Sequence, residues 1–295
     1  MIETQTISRR LFLTVNTILL VLLAFTCLYP IWYTFCLSFS DKAATNAGWV
    51  TLYPIGFTTS AYGEIIKDTA FFNSFKISLE RVFIGTPLTL IIVIMIAYPL
   101  SRSQREFHGR NVTMWIVVFC MLFNGGTIPW YMCMKNYGMM DNMAGLILSG
   151  SLPVYNVILM MNFFRNFPKD VEEAAIMDGA GKWRTLFQIV VPCSKSVIAT
   201  ITLFVSVYYW NEYFQGLVLS NSESHYPLQT YIRQIVVSIP MGVNLTTEQM
   251  IKMNQLSNKS LNAAKVFITI IPMLAVYPFI QKYFVTGIMI GSVKE

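Results

Sequence analysis

The sequence predicts an all-α integral membrane protein of six transmembrane helices with both termini on the cytoplasmic side. Three observations lead there. Hydrophobic residues make up 55% of the 295 positions against 12% for charged ones, and the mean hydropathy is +0.53, outside the range of ordinary soluble domains. The charges are bunched, leaving runs long enough to cross a hydrocarbon core about 30 Å thick, which takes roughly 20 apolar residues as a helix. The basic residues lie unevenly about those runs, and such asymmetry sets orientation.

Taken in order, the first run is free of Asp, Glu, Lys and Arg from Leu11 to Ser40 and predicts a span over 11–36. Arg9 and Arg10 precede it in the manner of a signal peptide, but the run far exceeds an h-region and has no small-residue cleavage site, so the helix is expected to be retained. Similar charge-free runs predict spans over 82–101, 112–134 and 143–164. Two shorter ones complete the set, at 196–217 and 265–287. Their uncharged cores, Ser196–Asn211 and Val266–Gln281, give only about 24 Å of helix each at 1.5 Å per residue. Lys195, Lys265 and Lys282 can snorkel to the interface, and an aqueous cavity could hydrate Glu212. One membrane domain then accounts for residues 1–295, with no linker and no internal repeat.

With both termini inside, twelve of the 21 Lys and Arg residues fall in the shorter cytoplasmic segments. The other nine, Arg81 and Lys265 among them, are spread over longer outer loops. This excess is what membrane orientation requires, so the net charge of +6 needs no nucleic-acid partner. Three hydrophilic segments stand out, at 41–76, 165–195 and 217–265. The last opens on a turn, Ser220–His225, and passes through an extended Tyr226-Pro227 into an amphipathic stretch, Thr230–Ile239. Pro240, Gly242 and a short helix over Thr246–Ser257 follow. Prolines inside the spans (Pro30, Pro87, Pro99, Pro129, Pro153, Pro272, Pro278) predict kinks that shape packing or gate a path.

Catalysis has no visible seat. Cys27, Cys36, Cys120, Cys133 and Cys193 show no metal-ligand spacing, and His108 and His225 fall on opposite sides of the membrane. No metal site, no catalytic residue and no enzymatic activity are expected. Neither a phosphate-binding loop nor a dinucleotide fingerprint occurs, so any ATP must be handled by another subunit.

The segment 165–195 carries the most information. Pro168 can open a helix, and Asp170, Glu172 and Glu173 place negative charge in its first turns, where the helix dipole favours it. Ala174 and Ala175 favour helix and let another surface approach. Gly179 and Gly181, after Asp178, supply a break. Trp183, Leu186, Phe187, Val190 and Val191 then follow at helical spacing, up to Pro192. The sum is a helix–turn–helix elbow suited to a groove on a soluble partner.

Glu173-Ala174-Ala175, Gly179, Ile189 and Pro192 stand in register with the EAA loop of importer-type ABC transporter permeases, Val191 replacing the usual Leu. The chain resembles the MalG-like carbohydrate-uptake permeases over its whole length, on Asp178-Gly179-Ala180, Trp210-Asn211-Glu212 and the tail Gly287…Gly291-Ser292-Val293-Lys294. Within these it looks most like the oligosaccharide-importing subgroup. The resemblance implies a permease subunit in a bacterial cytoplasmic membrane, paired with a second permease as a heterodimer. Two ATPase subunits would bind ATP and Mg, and an extracytoplasmic binding protein would deliver the sugar. It implies that Glu172, Glu173, Ala174, Ala175, Asp178 and Gly179 form the coupling contact with an ATPase. Tyr209, Trp210, Asn211 and Glu212 are candidates for the sugar path, with an interfacial aromatic belt as the competing explanation. Asn124 and Asn156 are further candidates that interhelical hydrogen bonding explains equally well. An ion-coupled secondary carrier would need a buried Asp, Glu or His relay, for which only Glu80 or Glu212 is available; a permease for another solute class also fits.

Overall fold

A computed structural model describes residues 7–150, 152–237 and 258–292, with backbone alone for 237 and 277–292. The expected short helix over Thr246–Ser257, with Pro240 and Gly242, lies outside the described residues. Every regular element among the described residues is helical.

The first helix, α1 (Ile7–Ser38), is the 32-residue apolar run. Leu11, Phe12, Ile18, Leu22 and Phe25 are exposed along it, an arrangement that lipid or another subunit makes favourable. The hydroxyls of Thr14, Thr17 and Thr34 each donate to the carbonyl four residues back, so they present no unsatisfied polar group to lipid. Two short helices follow, α2 (Lys42–Asn46), capped by the Asp41 side chain, and α3 (Ser60–Ile66).

The next helix, α4 (Thr69–Ser101), starts well before the predicted 82–101. Charge does not stop a helix. Lys76 and Glu80 pair four residues apart at 3.7 Å on its exposed face, while Arg81 is fully buried.

Two predicted spans are broken. The 112–134 stretch forms α5 (Arg110–Leu122) and α6 (Thr127–Asn136), bent by 115°. Between them Gly126 sits at a φ of 88°, in the left-handed region that glycine adopts without strain. The 143–164 stretch forms α7 (Met143–Leu148) and α8 (Val154–Arg165). Pro153 caps α8 and disfavours helix at the residue before it, so the chain breaks there.

The elbow comprises α9 (Lys169–Met177) and α10 (Lys182–Cys193), the second containing a π-helical turn over Thr185–Val190. From there α11 (Lys195–Asn211) departs at 82°, and α12 (Phe214–Leu219) follows a break at Glu212. The predicted 196–217 span is thus also two helices. A 3₁₀ turn at Glu223–His225 leads to α13 (Leu228–Val237), two residues ahead of the predicted start, and α14 (Lys259–Ser292) includes the predicted last span.

Among the described residues, three helices are long and apolar enough to cross a membrane, or up to five if each of two bent pairs is one span. Two compact units divide the chain. One comprises Met1–Thr69 and Gln234–Ile271. Its core joins Cys36, Ala44 and Val50, Phe35 packs on Phe39 and Phe267, and Lys265 is buried against Asp68 at 2.5 Å instead of snorkelling. The other comprises Ala70–Arg233 and Pro272–Glu295. Its core joins Val93, Ala97 and Leu100 of α4, Met160 and Phe164 of α8, Leu186 and Val190 of α10, and Val197, Ile201 and Tyr209 of α11.

Candidate functional site: an elbow and a pocket

Both sites lie in the second unit. In the elbow, Pro168 enters α9 with extended backbone. At the other end the Ala180 amide donates to the Ala175 carbonyl and the Gly179 amide to Ile176. That pair of bonds is a Schellman cap, which requires a left-handed residue, and Gly179 supplies it with a φ of 79°. A Cβ added at Gly179 would meet nothing within 4 Å, so glycine is needed there for backbone and for surface, not for internal packing.

The six predicted coupling residues divide by the helical period. Glu173, Ala174, Asp178 and Gly179 are exposed, whereas Glu172 and Ala175 are buried. Around the exposed four lie Ile176, Met177, Trp183 and Phe187, also exposed, with the Trp183 and Phe187 rings stacked at 6.1 Å. Glu172 turns inward to Arg102, just past the end of α4. The Arg102 guanidinium donates to both carboxylate oxygens, Nη2 to Oε1 at 2.8 Å and Nη1 to Oε2, and it lies 4.2 Å from the centre of the Tyr98 ring. Burial is the largest influence on Arg102 and by itself would lower its pKa, but the hydrogen bonds donated to Glu172, together with the charges of Glu172, Glu106 and Tyr98, hold the pKa above its ordinary value.

Further along α4, toward its N-terminus, lies a second ion pair. Arg81 donates through Nε to the Leu146 carbonyl at 3.0 Å and through Nη1 to the Glu212 carbonyl at 3.1 Å. Its Nη2 donates to Glu212 Oε2 at 3.0 Å and to Gln215 Oε1. Glu212 is therefore matched by an arginine, not simply hydrated, and its Oε1 accepts the Gln215 amide that begins α12. Gln215 in turn donates from Nε2 to the Tyr208 hydroxyl at 2.9 Å.

Tyr208 lines a pocket of about 350 Å³ together with Gly150, Tyr155, Asn156, Phe204 and Val205. Tyr155 is 62% exposed, Tyr208 42% and Phe204 37%, so all three rings are partly exposed. The predicted Tyr209 and Trp210 are instead buried, at 0% and 4%. Tyr209 donates to the Ile147 carbonyl at 3.1 Å and accepts from Thr89 at 2.9 Å, and Trp210 meets Phe75 edge-on. Asn211 is exposed and donates to the Val207 carbonyl. Asn124 accepts from the Gly126 amide in the break before α6, far along the chain from the pocket. Of the predicted path residues only Asn156 lines it. Arg81, Arg102, Gln215, Tyr155, Phe204 and Tyr208 were not singled out by sequence; Arg81 and Arg102 were signalled in principle, because they bracket the charge-free run 82–101.

The family described as binding-protein-dependent transport system inner membrane component matches residues 6–290. The chain belongs to this family. This permease is 35% identical over 275 residues to the polygalacturonan/rhamnogalacturonan transport system permease protein YtcP of Bacillus subtilis, covering 93% of its own length and 95% of the relative. It is 24% identical over 283 residues to the melibiose/raffinose/stachyose import permease protein MelC of the same organism, covering 94% and 95%. A crystal structure of a bacterial ABC transporter involved in the import of the acidic polysaccharide alginate superposes with a TM-score of 0.85 at 36% identity, over 95% of this chain and 98% of that one. The protein is thus a multi-pass, all-helical inner-membrane permease of the carbohydrate-uptake kind, a transport component without a catalytic role. A system of this type implies an ATPase and a binding protein as partners.

Proposed function

We propose that this permease forms one half of a heterodimeric pore that imports oligosaccharides, taking them from an extracytoplasmic binding protein and moving them at the expense of ATP bound with Mg by two ATPase subunits. The observation that carries the reading is the elbow. A Schellman-capped helix exposes Glu173, Ala174, Asp178 and Gly179 beside an apolar rim, a surface shaped to enter a groove on a soluble protein. Six crossings with both termini inside put that elbow in the cytoplasm, where the ATPase is, and the loop after α12 outside, where the binding protein is.

The pocket supplies the sugar-facing surface. Sugar rings present C–H faces that stack on aromatic planes, and Tyr155, Phe204 and Tyr208 offer three, with the Tyr208 hydroxyl and Asn156 as polar groups to fix orientation. Two relatives named for polygalacturonan and alginate put acidic oligosaccharides first among those to try.

The test is ATP turnover by the reconstituted complex with its binding protein, over a panel of uronate-containing and neutral oligosaccharides. One or more should stimulate turnover, and Tyr208→Ala with Phe204→Ala should raise the concentration required by about tenfold, the equivalent of roughly 1.4 kcal/mol. A panel that leaves turnover flat while a non-carbohydrate solute stimulates it would overturn the substrate class.

A further inference from the structure

The elbow can pass its motion to the rest of the subunit through what holds it: the chain entering from α8, the packing of Leu186 and Val190 of α10 in the core, and two more specific connections. One is covalent: α10 runs into α11 through Ser194, which is buried and whose hydroxyl donates to the Val190 carbonyl at 2.6 Å. The other is the Arg102–Glu172 pair, which joins the first elbow helix to the end of α4 across 70 residues of sequence.

Three features separate this pair from an ordinary surface salt bridge, which contributes little. The side chains are only 21% and 11% exposed. The contact is bidentate, so it fixes direction as well as distance. The guanidinium face rests on Tyr98, which leaves its plane little freedom to tilt. In addition, among the described residues Arg102 Nε is buried with no hydrogen-bond partner and Glu172 alone anchors the donors of this guanidinium.

The stretch of α4 from Arg81 to its end at Ser101, about 30 Å at 1.5 Å per residue, is as long as a bilayer core is thick. At the start of that stretch Arg81 is locked to Glu212 at the end of α11 and to Gln215, which holds the pocket's Tyr208. The elbow and the pocket are thus joined by two struts, α4 and α11, which meet at Arg81–Glu212 and are each attached to the elbow, α4 by Arg102–Glu172 and α11 through Ser194.

We infer that Arg102, held by Glu172 and Tyr98, is a positioning residue that couples the elbow's movement to α4 and through it to the pocket. The inference rests on the elbow being the ATPase contact. Glu172 then faces this subunit's own helix, while Glu173 faces the partner.

The experiment measures sugar transported per ATP hydrolysed by the full complex in proteoliposomes, with assembly checked by co-purification. Arg102→Ala and Glu172→Gln should each lower that ratio by about tenfold, inside the usual range for coupling between sites. Arg102→Lys should fall between these and the wild type, since an ammonium cannot reproduce the bidentate contact. Exchanging the charges in the double variant Arg102→Glu, Glu172→Arg should recover part of the loss. A purely structural role would lower yield or thermal stability without altering the ratio in the complexes that do form.

Gly179→Val in the same assay separates the two claims. If it also keeps the wild-type ratio, the elbow reading falls; if it uncouples while Arg102→Ala and Glu172→Gln do not, the strut inference alone is overturned. Should Arg102→Ala fail to assemble, Glu172→Gln decides, because it keeps the size of the side chain and removes only its charge.

Discussion

Gly179 holds a left-handed backbone with open space where a Cβ would stand, so its replacement acts on conformation without a clash. Gly179→Ala should cost about 1 kcal/mol locally and leave the thermal midpoint of the detergent-solubilised permease within a few degrees of wild type, while transport per ATP drops. Arg81 is the opposite case. It is fully buried and satisfies four acceptors, so Arg81→Met leaves Glu212 and Gln215 without their donor. Removing one partner of a buried pair costs roughly 3–5 kcal/mol, and the midpoint should fall by many degrees; a midpoint at the wild-type value would show that Glu212 is hydrated after all. These two residues also differ in how well the sequence announced them. Gly179 follows a run of helix formers in a recognisable pattern, whereas Arg81 was assigned to an outer loop because charge-free length was used to place the start of the helix.

Among the elements, α4 and α11 carry the packing that matters most. A Cβ on Gly85 would come within 2.7 Å of the Tyr209 ring, so α4 approaches α11 at that point through a missing side chain. Overpacking of this kind typically costs 1–3 kcal/mol, and Gly85→Ala should lower the thermal midpoint and free the Tyr209 hydroxyl from Thr89 and Ile147; an unchanged midpoint would argue against tight packing there. The elbow's two-helix form was legible because proline, acidic residues, alanines and glycine fall at the positions where a helix starts, runs and stops. Its π-helical turn was not, since Thr185–Val190 has the same apolar spacing as an α-helix and differs only in hydrogen bonding. Hydropathy likewise located the 112–134 and 143–164 stretches but not their breaks, because Gly126 and Pro153 act on backbone geometry without altering apolar content. Which aromatic residues of α11 are buried was not legible for a related reason. Aromatic residues at a helix end look alike in sequence, and only the turn of α11 decides that Tyr208 faces the pocket while Tyr209 and Trp210 face inward.

At the scale of the whole molecule, the long exposed apolar faces of α1 and α5 and the partner-shaped elbow are incomplete surfaces that lipid and other subunits would cover. The central claim is that the elbow seats in an ATPase, and the direct measurement is site-specific cross-linking in the assembled complex. Ala174→Cys places a thiol on the exposed face of α9, and the exposed Cys27, Cys120, Cys133 and Cys193 would first be replaced so that they do not compete. A cross-link to the ATPase subunit is expected from Ala174→Cys, and none from a cysteine at the buried neighbour, Ala175→Cys. Efficient transport by a complex in which Ala174→Cys never reaches the ATPase would contradict it.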